Sequence, residues 1–319
     1  MIVRWGLGEL PSVLDELGIE RPFLIASERW GLDLSAEGRW DEVPSDRIDE
    51  IASRTKDAGG LLAVGGGSAI DLTKAVSAAT GLPVVSVPTT YSGSEWAPNF
   101  GIRDPTRRMR GGGAGAHLAG IVYEPELTLS LPREESVGTA LNALAHCAEA
   151  LYVEGRSEEA DGLALEGARR ISASLPTVAA DGGDREARTE LLRGAAAAGH
   201  ALGLAGLGLG HAMAQAIGGR YGLPHGALNA ICLPAALRFN EPVAHDAITR
   251  FGDALGTGDP VARVQELARL GGFERLWELG VPEDDLPELA KATAERRGAK
   301  ANPRSASTEE IEALLRTVW

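Results

Sequence analysis

Cysteine is scarce in this 319-residue chain: only Cys147 and Cys232 occur. Both lie in apolar, helix-like runs, so they read as reduced core thiols rather than a disulfide framework, as expected in a reducing cytoplasm. No long basic run is present, and the net charge is −14. Nucleic acid and an anionic membrane surface are therefore not expected partners. No uncharged apolar run is long enough to span a bilayer. The first residues, MIVRWGLGEL, lack a signal-peptide-like apolar stretch. Clusters of β-branched residues all but vanish after Pro132. What remains is 44% hydrophobic and 24% charged, the make-up of an ordinary globular protein. The length suffices for two domains with separate cores. In so acidic a chain, an anionic substrate needs a local cluster of Arg, Lys or His.

The first part alternates short apolar strands with helices. PFLIAS, LLAVGGG and PVVSVPTT read as strands. SAIDLTKAVSAATG reads as a helix that stops at Gly81. Such alternation predicts a mainly parallel sheet with helices on its faces. The Gly- and Arg-rich stretch 101–120 reads as a mobile connection or a hairpin. From residue 134 onward, long Ala/Leu-rich amphipathic runs predict helices only. Ser307 and Glu310 form a capping box that starts the last of them.

Two loops carry candidate ligand chemistry. In LLAVGGGSAIDLTKA a buried strand runs through Gly65, Gly66 and Gly67 into a helix near Ser68. The glycines let backbone approach a ligand and adopt positive φ. The helix start favours an anion such as a pyrophosphate. Asp71 follows on the same helix and joins the candidate cofactor residues. In PVVSVPTTYSGSE a strand ends on a rim of hydroxyls: Thr89, Thr90, Ser92 and Ser94. Ligands bind at such carboxyl ends of parallel strands. Glu28, after PFLIAS, can accept ribose hydroxyls and repel a 2′-phosphate, which favours NADH, with NADPH as the alternative.

Three histidines mark a third feature. Asn142 and His146 are spaced i,i+4 in ESVGTALNALAHCAEALY and share one helix face. His211 opens GHAMAQAIGGRYGLPHG and His225 stands near its end; Gln215 shares a face with His211. The glycines of GLAGLGLG before His211 permit close helix packing around a cavity. Arg108, with Arg110, is a candidate clamp for a carboxylate or phosphate. His117, His200 and His245 lack such partners and are expected to be non-catalytic.

With these motifs in order and at similar spacing, the chain resembles the iron-containing alcohol dehydrogenase superfamily, and most of all its maleylacetate reductases. YEPELTLSLP and ANPRSASTEEIEALL add to the likeness, which covers nearly the whole chain. The resemblance implies an α/β dinucleotide-binding domain over 1–133 and an all-α catalytic domain over 134–319. It implies a nicotinamide cofactor and hydride transfer in a cleft, in a cytoplasmic homodimer acting on a small carboxylate substrate. Asn142 stands where metal-dependent members carry an aspartate ligand, and His146, His211 and His225 where they carry histidine ligands. Asn at that first position is similar to the reductases, which implies turnover without metal, with Asn142, His146, His211 and His225 catalytic. Gln215, a candidate substrate contact, departs from the further histidine of many members. If a metal is bound, the three histidines hold it. The remaining alternatives are a metal-dependent alcohol dehydrogenase and a cofactor-binding homologue without turnover.

Overall fold

Alternate burial along the strands explains the first layer arrangement. Leu62, Val64, Val85 and Val87 point into one apolar cluster, whereas Leu61 and Val84 point into another. A strand apolar on both faces needs cover on both, which is the signature of a parallel α/β sheet. The computed structural model describes residues 1–32 and 34–319. They divide into two compact units, Met1–Thr90 with Ser94–Leu129, and Tyr91–Gly93 with Ser130–Trp319.

The first unit contains β1 (Ile2–Trp5), α1 (Leu10–Glu16), β2 (Phe23–Ile25), β3 (Gly38–Trp40), α2 (Ile48–Arg54), β4 (Leu61–Gly65), α3 (Gly67–Thr80), β5 (Pro83–Pro88), β6 (Phe100–Arg103), β7 (Met109–Gly113) and β8 (His117–Tyr123). Six strands form one parallel sheet in the order β1-β8-β5-β4-β2-β3. β6 and β7 form a separate antiparallel hairpin. Stretch 101–120 thus resolves into most of a hairpin and the start of a central strand. β1 and β3 escape a sequence reading because they are short edge strands with few fully buried residues. α3 ends on Gly81 at φ +77°, as the sequence leads one to expect.

The second unit is helical: α4 (Arg133–Ala150), α5 (Glu158–Ala180), α6 (Arg185–Ala205), α7 (Leu209–Tyr221), α8 (His225–Leu255), α9 (Pro260–Arg269), α10 (Leu286–Ala294), α11 (Arg297–Lys300) and α12 (Thr308–Val318). The capping box of Ser307 and Glu310 starts α12. This unit begins at Ser130 and also holds Tyr91–Gly93. Local bonds give the reason. Tyr91 N–H donates to Thr139 Oγ1 at 3.4 Å, and Arg188 donates to the Tyr91 hydroxyl at 3.1 Å. Gly93, at φ +74°, lies so close to α6 that a Cβ would stand 2.9 Å from Gly199 Cα. α4 and α8 also meet closely, since a Cβ on Gly226 would be 2.4 Å from Gly138 C and O. Among the described residues, no single helix is long and apolar enough to cross a membrane.

Candidate functional site

In the α/β unit, β4 and β5 pair so that Gly65 stands beside Pro88, and Thr89 N–H donates to Gly65 O at 3.0 Å. The glycine run and the hydroxyl rim are therefore neighbours at the carboxyl ends of adjacent strands. The three glycines act differently. Only Gly65 has positive φ, at +152°. Gly66 is extended and faces Thr90: a Cβ there would meet Thr90 Cγ2 at 2.8 Å. Gly67 is the first residue of α3, and no side chain caps that helix. Thr90 Oγ1 and Ser94 Oγ are buried without hydrogen-bond partners among the described residues. Buried hydroxyls without partners call for a ligand, and an uncapped helix start suits an anion. These residues fit a nucleotide diphosphate.

The other candidates in this unit are engaged or exposed. Asp71 pairs with buried Lys74 at 2.7 Å and accepts from Gly101 N–H at 3.2 Å, so it holds the hairpin against α3. Glu28 lies exposed in the turn after β2. Arg108 lies exposed between β6 and β7, while Arg110 is bound to Asp104.

In the helical unit, α4, α7 and α8 bring the histidines together. The rings of His146 and His211 stack at 4.4 Å, and His225 lies 5.8 Å from His211. Asn142 is buried in a network that fixes its orientation. Its Nδ2 donates to Ser92 O at 2.9 Å, and its Oδ1 accepts from Asn229 at 2.7 Å. A carbonyl oxygen only accepts, so the atom facing Ser92 O must be the amide nitrogen. The same Nδ2 is 3.0 Å from His146 Nε2. Ser92 O also stands 3.3 Å from that Nε2, and His146 Nδ1 is buried without a hydrogen-bond partner among the described residues. Burial, and then the nearby His211 and His225, hold the His146 pKa well below the ordinary histidine value, so the ring is neutral at pH 7. Both ends of the Asn142 amide are taken by protein groups.

The sequence reading missed Glu149. Its carboxylate is fully buried and collects three donors: Gly208 N–H at 2.6 Å, His211 N–H at 3.0 Å and His211 Nδ1 at 2.7 Å. It thereby caps the start of α7, where negative charge is favoured. It also turns His211 so that Nε2 is buried without a hydrogen-bond partner among the described residues. The glycines of GLAGLGLG serve this carboxylate: a Cβ on Gly208 or Gly210 would come within 3.0 Å of Glu149 atoms. A signal was available. Asn142, His146 and Glu149 are spaced i, i+4, i+7 on one helix face, and an acid inside an apolar run needs a buried partner.

This donor set does not fit a divalent metal as it stands. The Asn142 oxygen is committed to the Asn229 amide, and His146 Nε2 is hemmed in by the Asn142 amide and Ser92 O. Among the described residues, no group of three or more His, Cys, Asp or Glu side chains is arranged to hold a metal ion. Cys147 and Cys232 are free and buried; burial raises both thiols, Cys232 to about 12. Gln215 lies on α7 one turn after His211, with Arg296 Nη1 3.5 Å from its Oε1. His245 is exposed and paired with Glu241.

Family models match both parts of the chain. The model described as iron-containing alcohol dehydrogenase matches residues 5–117, and that of the C-terminal part of the Fe-containing alcohol dehydrogenase family matches 136–319. The chain belongs to the iron-containing alcohol dehydrogenase family. It is an oxidoreductase of that family. A maleylacetate reductase of Sphingobium indicum is 37% identical over 86% of this chain and 78% of that protein. One of Pseudomonas knackmussii is 33% identical over 98% and 93%. The crystal structure of maleylacetate reductase from a Rhizobium species superposes with a TM-score of 0.89 at 28% identity, covering 100% of this chain and 95% of that one.

Asn142→Asp tests the amide network. It sets a carboxylate oxygen against Ser92 O, so two acceptors face each other 2.9 Å apart. The variant is expected to lose about 1–3 kcal/mol of stability, partly regained when zinc is added, because carboxylate is the better ligand. Melting temperatures of both proteins with and without zinc check this. An unchanged melting temperature in the variant without metal argues against the assigned orientation.

Proposed function

We propose that this chain is an NADH-dependent reductase of maleylacetate, or of a related unsaturated keto acid, working without metal. The observation that carries the reading is Asn142, whose amide donates to Ser92 O and faces His146 Nε2 where a metal-holding carboxylate would need its lone pairs free. The names of the similar proteins supply the substrate. Residues 65–68, Thr90 and Ser94 would hold the cofactor's diphosphate. Bound there, the cofactor supplies hydride to one carbon of the conjugated double bond.

Reduction leaves negative charge on the conjugated carbonyl oxygen and requires a proton at the adjacent carbon. With its proton on Nδ1, a buried nitrogen without a hydrogen-bond partner among the described residues, His146 would donate to that oxygen. His211 offers Nε2 for the proton. Its Nδ1–H···Glu149 bond fixes the ring while Nε2 gains or loses the proton. One hydride and one proton turn maleylacetate into 3-oxoadipate.

A metal-dependent alcohol dehydrogenase is the second reading. It is favoured by His211, because an imidazole with Nδ1 on a carboxylate and Nε2 free has the geometry of a metal ligand. The deciding experiment measures NADH oxidation with maleylacetate, and with simple aldehydes, before and after chelation. Maleylacetate turnover that survives chelation supports the proposal. Aldehyde turnover abolished by chelation and restored by iron or zinc supports the second reading instead.

The cofactor placement has its own test. Gly66→Val would disturb Thr90 as well as any ligand, so Ser68→Asp is the cleaner variant. An acid in the first turn suits the dipole of α3 but repels a diphosphate. Folding stability is expected to hold, while the NADH Kd rises about tenfold or more. An unaltered Kd by fluorescence titration places the diphosphate elsewhere.

A further inference from the structure

Arg296 takes no part in the chemistry described so far. It immediately precedes α11, which is pressed against the residue preceding α7: a Cβ on Gly298 would stand 2.4 Å from Gly208 O. From there the guanidinium reaches Gln215, Nη1 to Oε1 at 3.5 Å, a weak contact. Its Nε is buried with no hydrogen-bond partner among the described residues. No carboxylate there lies within ion-pair distance of it, and burial alone pulls its pKa below the ordinary arginine value. Arg188 is the contrast. It is more deeply buried, but Gly182 O, Leu131 O, Tyr91 and Ser136 accept its N–H groups. Arg188 is complete without a ligand; Arg296 is a half-buried cation whose Nε is left without a partner among the described residues. Such a group gains from an anion that satisfies it.

Its position says which anion. Gln215 follows His211 by four residues, about 6 Å along the helix. A planar guanidinium presents two parallel donors, which match the two oxygens of a carboxylate, and the Gln215 amide can add a third. We propose that Arg296 and Gln215 form a subsite for the substrate carboxylate remote from the reacting double bond. The inference rests on the reading of the histidine cluster as the place of reduction. In a chain of net charge −14, this cation is what draws a dianionic substrate to that end of α7.

The test compares Arg296→Leu and Arg296→Lys with the unaltered enzyme. Substrates are an unsaturated keto-dicarboxylate and its monoester, esterified at the remote carboxyl. Arg296→Leu is expected to raise KM for the dicarboxylate about 30-fold, with a smaller change in kcat. The monoester KM and the NADH Kd should stay within about twofold, and Arg296→Lys should recover part of the loss. The melting temperature should not fall, since an unpaired cation is removed. Equal KM changes for both substrates, or a loss confined to NADH binding, overturn the subsite. Calorimetry with glutarate separates this idea from the reductase reading. If the enzyme fails to reduce the enone yet binds glutarate, and Arg296→Leu abolishes that binding, the subsite stands and the reaction assignment falls. Glutarate binding that is absent, or indifferent to Arg296→Leu, overturns the subsite.

Discussion

Glu149→Gln is expected to lower kcat about a hundredfold while NADH affinity and substrate KM stay nearly constant. The carboxylate accepts three N–H bonds, and all three of its donors are buried. A carboxamide has the same shape but only one oxygen. Whichever way it turns, its NH2 faces at least one N–H of Gly208 or His211. That costs about 1–3 kcal/mol of stability, so the variant should fold with a lowered melting temperature. The larger effect falls on the reaction. A protonated His211 would lose the negative charge 2.7 Å from Nδ1. Second partners of this kind are worth about 10- to 100-fold, and proton transfer itself about 10²–10⁴-fold. The solvent deuterium isotope effect on kcat should rise as proton delivery becomes limiting. Glu149→Asp should restore part of the rate. Normal kcat and isotope effect beside a lowered melting temperature would mean that Glu149 only caps α7. Glu149→Ala is less useful, because breaking a buried pair costs about 3–5 kcal/mol and endangers the fold.

Much of this was legible in the sequence, for identifiable reasons. The strand–GGG–helix run and the stop at Gly81 depend on local backbone chemistry, so β4, α3 and the neighbouring hydroxyl rim could be read in advance. The shared face of Asn142 and His146 follows from helical spacing alone. What could not be read depends on pairing between distant segments. β1 pairs with β8, more than a hundred residues later, and neither stands out by composition. The Asn142 amide was visible, but not that Ser92 O and Asn229 would engage it. Glu149 was hidden for the same reason: its three donors come from about sixty residues further on. The glycines of GLAGLGLG read as room for packing, but the group that fills that room, Glu149, lies about sixty residues earlier and meets them only where α7 begins.

Replacing the histidines one at a time is expected to separate chemistry from binding. His146→Ala removes a buried ring nitrogen, Nδ1, that has no hydrogen-bond partner among the described residues and is proposed to donate to the substrate oxygen. Loss of one such oxyanion donor costs about a hundredfold or more in kcat. His211→Ala removes the ring that Glu149 orients, and loss of a general acid is of about the same order. It also leaves the Glu149 carboxylate with two backbone donors in place of three, so some stability should go with it. His225 lies 5.8 Å from His211, tilted rather than stacked, and its replacement should lower turnover too. The diphosphate site proposed at residues 65–68 belongs to the α/β unit, so NADH titration should be nearly unchanged in all three variants. His200→Ala is the control and should turn over almost normally. Steady-state kcat with maleylacetate, measured beside NADH Kd and melting temperature, decides the matter. Three variants that turn over like the parent enzyme would make the cluster structural and the mechanism wrong. Variants that lose NADH binding and thermal stability together would assign the histidines to holding the helical core, and proton delivery would have to be sought elsewhere.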